Sequence, residues 1–260
     1  MKNFGLIGYP LGHSFSKKYF SKKFEKENID AKYELYEISE IEKIKEIAQN
    51  IDLTGLNVTI PYKQSVIPFL TELDETADKI GAVNVIHFIK TNSKPILKGY
   101  NTDVIGFTNS IKNHLKPHHS KALILGTGGA AKAMAYGLQK LGLKVTFVTR
   151  NTQKIKQQAD KTLSIVKPQI ISYDELNRVN LTENQIIVNA SPIGTFPKID
   201  ECPAIPYQFL TPGHLLFDAV YNPSETLFMK KGKEKGADVL NGEQMLIGQA
   251  EAAWKIWSAK

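Results

Sequence analysis

Cysteine is almost missing from this chain: Cys202 is the only one among 260 residues. No intrachain disulfide can form, so a reducing, cytoplasmic setting is the expectation. Long apolar runs are missing too. No stretch approaches the ~18 residues that a membrane span requires, and the apolar part of residues 1–10 is too short for a signal peptide. No repeat, heptad or low-complexity segment is found. Charge of one sign is in only modest excess, with 33 Lys and Arg against 26 Asp and Glu, net +7. The lysines are spread along the chain, and no basic segment with interleaved aromatics marks a nucleic-acid binder. Neither nucleic acid nor membrane is an expected partner; such a surface favours small anions. The 42% of apolar residues supply a core, and 260 residues fit one large domain or two modest ones.

What the sequence does contain is concentrated in residues 121–150. Residues 122–125 are a short apolar run of buried-strand type. Gly126-Thr127-Gly128-Gly129-Ala130-Ala131 follows and fits G-x-G-x-x-G/A, with Ala131 in the third place. A helix-like segment carries Met134, Leu138 and Leu141 on one face and stops at Gly142, and residues 145–148 read as a second strand. Strand, glycine turn, helix and strand together point to a dinucleotide site, with the helix N-terminus favouring a pyrophosphate. A second absence selects the dinucleotide. No Asp or Glu lies at the end of the second strand, where an NAD site places an acid on the ribose hydroxyl. Arg150 and Lys154 stand there instead, with Thr149, Asn151 and Thr152 as hydrogen-bonding neighbours. That set suits a 2′-phosphate, so NADP is expected.

The rest of the chain reads as α/β. Strands are expected over 4–8, 33–38, 55–60, 80–89, 96–99, 186–189, 215–220 and 239–240. Helices are expected over 41–51, after Asp103, over 226–235 capped by Ser224, and over 241–257. Ser14 and Ser16 stand before a helix bearing Tyr19, Phe20 and Phe24; either one of them is the N-cap or both are ligand-facing hydroxyls. Lys63 emerges past a strand end, where it is a surface lysine or an acid–base group. Asn84 interrupts an apolar run, so it needs a partner or a ligand. Asp103 reads equally as an N-cap, and Gln249 as a surface amide. His114, His118 and His119 fall in a basic, proline-containing segment that reads as a solvated linker, without convincing metal-ligand spacing; no metal is expected.

Six further motifs stand in order along the chain. They are G-x-P-x-x-H-S-x-S from Gly8 to Ser16, N-V-T-x-P-x-K from Asn57 to Lys63, G-A-V-N from Gly81 to Asn84, and N-T-D from Asn101 to Asp103. N-x-[ST]-P-x-G runs from Asn189 to Gly194, and G-x-x-M-L-x-x-Q from Gly242 to Gln249. With the glycine loop, this set resembles the shikimate dehydrogenase family over essentially the whole length.

The resemblance implies an NADP-dependent oxidoreductase that reversibly reduces 3-dehydroshikimate to shikimate, on the route to chorismate and aromatic amino acids. It implies a two-domain α/β fold. An N-terminal α/β substrate-binding domain would span 1–103, completed by the helix at 241–260, and an NADP-binding Rossmann domain would span 104–240. Lys63 and Asp103 would be the catalytic pair. Ser14, Ser16, Asn57, Thr59, Lys63, Asn84, Asp103, Tyr221 and Gln249 would bind substrate, the two serines donating to its carboxylate. Gly126, Thr127, Gly128, Gly129, Ala130, Ala131, Thr149, Arg150, Asn151 and Lys154 would hold NADP. Thr195, Ala219 and Gly242 would lie near its nicotinamide end. A monomer or homodimer is expected. The family often shows Asn-Arg-Thr and then a second Arg; here Thr149-Arg150-Asn151 and Lys154 stand in their place, and Ala219 replaces a larger side chain. Lys lacks the planar fork of Arg, so a softer NADP preference is expected. The alternative is a quinate/shikimate enzyme of relaxed NAD/NADP preference.

Overall fold

The computed structural model describes residues 1–12, 14–92, 94–157 and 165–259. Contacts divide the chain into two compact units, Met1–Thr102 with Ala250–Lys260, and Asp103–Gln249.

The first unit holds a mixed sheet. Its strands are β1 (Lys2–Gly8), β2 (Ala31–Glu37), β3 (Leu53–Val58), β4 (Glu72–Leu73), β5 (Val85–Ile89) and β6 (Ile96–Tyr100), in the order β2-β1-β3-β5-β6-β4. β1 runs parallel to β2 and β3, while β3, β5 and β6 are successively antiparallel. β1 is buried on both faces, which is why residues 4–8 read as a continuous apolar run. One face meets Phe20 and Phe24 of helix α1 (Phe15–Lys26) together with Trp257. The other meets Ile44 of α2 (Ile44–Asn50) and Ala77 of α3 (Glu75–Ile80). Gly55 admits Trp257: a Cβ there would lie 2.2 Å from the indole nitrogen. That nitrogen donates to the Ile86 carbonyl at 3.0 Å.

The second unit holds a wholly parallel sheet. Its strands are β7 (Lys121–Leu125), β8 (Lys144–Thr149), β9 (Gln169–Ser172), β10 (Ile186–Asn189), β11 (Leu215–Asp218) and β12 (Asp238–Leu240). The order β12-β11-β10-β7-β8-β9 is the doubly wound Rossmann arrangement. The helices are α4 (Asp103–Ile111), α5 (Gly129–Lys140), α6 (Thr152–Gln157), α7 (Arg178–Glu183), α8 (Leu227–Lys233) and α9 (Glu243–Ser258), the last continuing into the first unit. Small residues bring helices close. A Cβ on Gly106 of α4 would lie 2.3 Å from the Met245 carbonyl of α9. Full burial of a side chain such as Phe107, Phe147 or Phe217 stabilises the unit by about 1.5–3 kcal/mol each.

Several expectations are corrected. The strand expected over 80–89 begins at Val85; Ile80 instead ends α3. Asp74 caps that helix by accepting from the amides of Thr76 and Ala77, and Gly81 stops it at φ 63°. The helix expected over 41–51 opens with a tighter turn at Ile41–Lys43. Thr226, not Ser224, caps α8, accepting from the Met229 amide, and the helix ends at Lys233. Asp103 is the first residue of α4 and does not precede it. The histidine segment is no solvated linker throughout. His118 and His119 both reach the Gly213 carbonyl at 3.1 Å, and His119 is buried.

Candidate functional site

The cofactor-type features lie at the carboxyl edge of the parallel sheet, at the switch point where strand order reverses between β7 and β10. Gly126 leaves β7 at φ 115°, a conformation that favours glycine. Its amide donates to the Val148 carbonyl at 3.0 Å, and Ala190 donates to the Leu125 carbonyl at 3.1 Å, so both loops leave the sheet together. Gly128 caps α5 with no side-chain bond to the helix amides. A Cβ at Gly128 would meet nothing within 4 Å, whereas Ala131 is fully buried. The loop is thus open on the side of the helix N-terminus and packed behind, with Thr127, Gly129 and Ala130 partly exposed between. This cradle suits a pyrophosphate.

At the end of β8, Thr149 accepts from the Asn151 amide at 3.3 Å and Arg150 is exposed. Burial raises the phenol of Tyr173, just past β9, and the Arg150 charge partly opposes that rise. The backbone of Lys154 is helical in α6, but its side chain lies outside the described residues.

A buried polar knot joins β10 to β11. Asn189 donates to Asp218 Oδ1 at 2.9 Å and to the Ile193 carbonyl at 3.2 Å, and it accepts from the Ser191 hydroxyl at 2.6 Å. Asp218 also accepts from the Val220 amide at 3.0 Å and from Thr226 Oγ1 at 2.6 Å. Burial pushes the Asp218 carboxyl up to about 6, against the pull of the hydrogen bonds from Thr226, Val220 and Asn189. The knot shapes the loop that leads to the exposed Thr195. Beyond β11, Gly242 approaches Ala219 so closely that a Cβ would lie 2.2 Å from the Ala219 carbonyl. Ala219 and Gly242 are thereby neighbours.

In the first unit, the polar residues gather at the carboxyl ends of β1 and β3. Ser14 caps α1, its oxygen accepting from the Lys17 amide at 3.3 Å, and Ser16 is buried in the first turn. Thr59 is tied to β1 by its amide, which donates to the Ile7 carbonyl at 3.0 Å. Asn57 donates to the Asn84 carbonyl at 3.2 Å. Asn84 donates to Thr102 Oγ1 at 3.0 Å and accepts from the Thr102 amide at 2.7 Å. Lys63 is fastened beside them: the Val83 amide donates to its carbonyl at 2.7 Å. Asn57, Asn84 and Lys63 are thus brought together within one unit.

In the second unit, Asp103 is buried at the start of α4, which packs on the part of α9 that carries Gln249. Gln249 is no surface amide; it is buried and donates to the Leu246 carbonyl at 3.0 Å. Tyr221 is 39% exposed, and partial burial raises its phenol. The sequence does not single out Tyr33, Asp218 or Thr226, and only the polar character of the last two at element ends gives a signal; Thr102 stands inside the N-T-D motif. Among the described residues, no cluster of three or more His, Cys, Asp or Glu could hold a metal ion, and no helix is long and apolar enough to cross a membrane.

Residues 6–86 match the family model of the shikimate dehydrogenase substrate binding domain. The shikimate dehydrogenase (NADP(+)) of Methanosphaera stadtmanae is 36% identical over 266 residues, covering 98% of this chain and 91% of its own. A crystal structure of a shikimate dehydrogenase in complex with NADP+ is 32% identical with a TM-score of 0.87, covering 99% of this chain and 90% of its own. The quinate dehydrogenase of Corynebacterium glutamicum in complex with NAD is 26% identical with a TM-score of 0.86, covering 99% and 93%.

Proposed function

We propose the following site chemistry from the premise that the chain belongs to the shikimate dehydrogenase family. It is an NADP-dependent oxidoreductase that reversibly reduces 3-dehydroshikimate to shikimate, a step toward aromatic amino acids. Bound NADP supplies the hydride chemistry. The open glycine cradle at the N-terminus of α5 holds its pyrophosphate, Arg150 and Lys154 hold its 2′-phosphate, and Thr149 and Asn151 flank the adenosine. Thr195, Ala219 and Gly242 border the nicotinamide.

In the reduction, negative charge develops on the ketone oxygen as the carbonyl carbon is reduced. The Lys63 ammonium stabilises that charge and gives its proton to the oxygen; in the oxidation the Lys63 amine takes the hydroxyl proton back. Asp103 accepts a substrate hydroxyl and acts with Lys63 as the catalytic pair. Ser14 and Ser16, backed by Tyr221, hold the carboxylate, while Asn57, Thr59, Asn84 and Gln249 bind the ring hydroxyls. The observation that carries this assignment is the bond from the Val83 amide to the Lys63 carbonyl. It ties the backbone of Lys63, the one lysine of the assigned substrate set, to the residue next to the buried Asn84, which supports the reading.

The deciding assay follows NADPH formation from shikimate, with quinate and NAD in parallel arms. Turnover confined to shikimate and NADP supports the strict reading. Comparable turnover with quinate or NAD moves the enzyme to the relaxed reading. We also place the enzyme in the cytoplasm, on the lone Cys202, as a monomer or homodimer acting on small molecules; sizing chromatography with light scattering tests the assembly.

A further inference from the structure

Tyr33 lies on β2, is 2% exposed, and stacks on Phe20 with ring centroids 4.9 Å apart. Its side chain reaches across β1, which separates β2 from β3, and donates to Asn57 Oδ1 at 2.7 Å. Asn57 passes the chain on through Nδ2 to the Asn84 carbonyl at 3.2 Å.

The direction of this chain is fixed by chemistry. A carbonyl only accepts, so the amide nitrogen of Asn57 must face Asn84. The amide oxygen then faces Tyr33, and only a protonated phenol satisfies it. Burial pushes the Tyr33 phenol well above its ordinary value, and the Ser16 hydroxyl beside it opposes that shift. The proton is therefore present wherever the enzyme works. A Phe would fill the same space and make the same stack. Keeping the hydroxyl buried is unfavourable unless its hydrogen bond compensates.

We propose that Tyr33 is a positioning residue for substrate recognition: through Asn57 Oδ1 it holds the carboxamide so that Asn57 offers the substrate an N–H donor and not a carbonyl oxygen. One amide proton of Asn57 goes to Asn84, and the second serves an oxygen of the polyhydroxylated ligand. Tyr33 contacts no substrate in this scheme. It links β2 to Asn57, a residue of the assigned substrate set. This inference rests on the reading of Asn57 as substrate-binding.

The test is a double-mutant cycle of Tyr33→Phe and Asn57→Ala, with kcat and KM measured for shikimate and for NADP. Tyr33→Phe is expected to raise the shikimate KM about tenfold, equivalent to ~1.4 kcal/mol, with kcat and the NADP KM within about twofold. In the Asn57→Ala background, Tyr33→Phe is expected to add nothing further, because the group it orients is gone. An unchanged shikimate KM in folded Tyr33→Phe, or effects that simply add, would overturn the proposal and leave Tyr33 a packing residue. An unchanged KM in Asn57→Ala would instead sink the substrate-site reading of Asn57, and this inference with it. If Tyr33→Phe does not fold, Asn57→Asp takes its place. It keeps an acceptor for the Tyr33 proton but removes the amide protons, so its KM should rise at least as far as that of Asn57→Ala. A wild-type KM there would overturn the proposal equally.

Discussion

Asn189 Nδ2 donates to Asp218 Oδ1 at 2.9 Å, tying the carboxyl ends of two adjacent strands through fully buried side chains. Because burial raises the Asp218 carboxyl from 3.8 to about 6, the folded state binds its proton more tightly than the unfolded chain does. The associated stability is complete below about pH 4 and is lost as pH rises through about 6. The rise corresponds to on the order of 3 kcal/mol. Asp218→Asn should remove this slope. Urea unfolding of both proteins between those pH values should show their stability difference shifting toward the variant as pH rises; a constant difference would refute the account.

Lys63→Ala should lower kcat by about 10²- to 10⁴-fold, the range for loss of a general acid. The shikimate KM should change by only a few fold. Steady-state kinetics in both directions check this, and near-normal turnover would remove Lys63 from proton transfer.

Arg150→Ala should raise the NADP KM about tenfold or more, since hydrogen bonds to charged groups contribute ~1.5–3 kcal/mol. The NAD constant should barely move, because NAD lacks the 2′-phosphate. Parallel titration of both cofactors at fixed salt gives the answer, and an equal effect on both would place Arg150 away from that phosphate.

Ser14 is both the cap of α1 and an assigned carboxylate donor, and two variants separate these roles. Ser14→Gly keeps most of the cap, whereas Ser14→Ala destabilises by about 0.5–2 kcal/mol. Both remove the hydroxyl, so both should raise the shikimate KM, while only the alanine variant melts markedly lower. A normal KM in both would leave Ser14 a cap alone.

The Rossmann half was largely legible, because Gly126, Gly128 and Ala131 stand at a spacing that a pyrophosphate turn requires, and the buried strands around them read as plain apolar runs. The order of the mixed sheet was not legible. No local pattern tells β5 to pair with β3 and β6. Nor did the sequence distinguish buried polar groups from surface ones. His119 is satisfied by Gly213, far along the chain, and Gln249 by a carbonyl of its own helix. Tyr33 was invisible as a functional residue because an aromatic side chain in a strand reads as core, and its acceptor lies on a strand that is not its neighbour in the sheet. The sequence likewise marked Asp103 and Ser14 as caps or ligand groups without deciding, since one side chain on a helix end satisfies either role.

The tryptophan beneath Gly55 has a bearing on biosynthesis. Trp257 packs against Phe4 and Phe20 and bonds to Ile86, so the sheet of the first unit is closed by a side chain translated only after the whole second unit. Until translation reaches that point, the nascent first unit presents an open aromatic face while the whole second unit is synthesised. A ribosome-bound chain halted before Trp257 should therefore engage chaperones through its amino-terminal part, even with its nucleotide-binding part already folded.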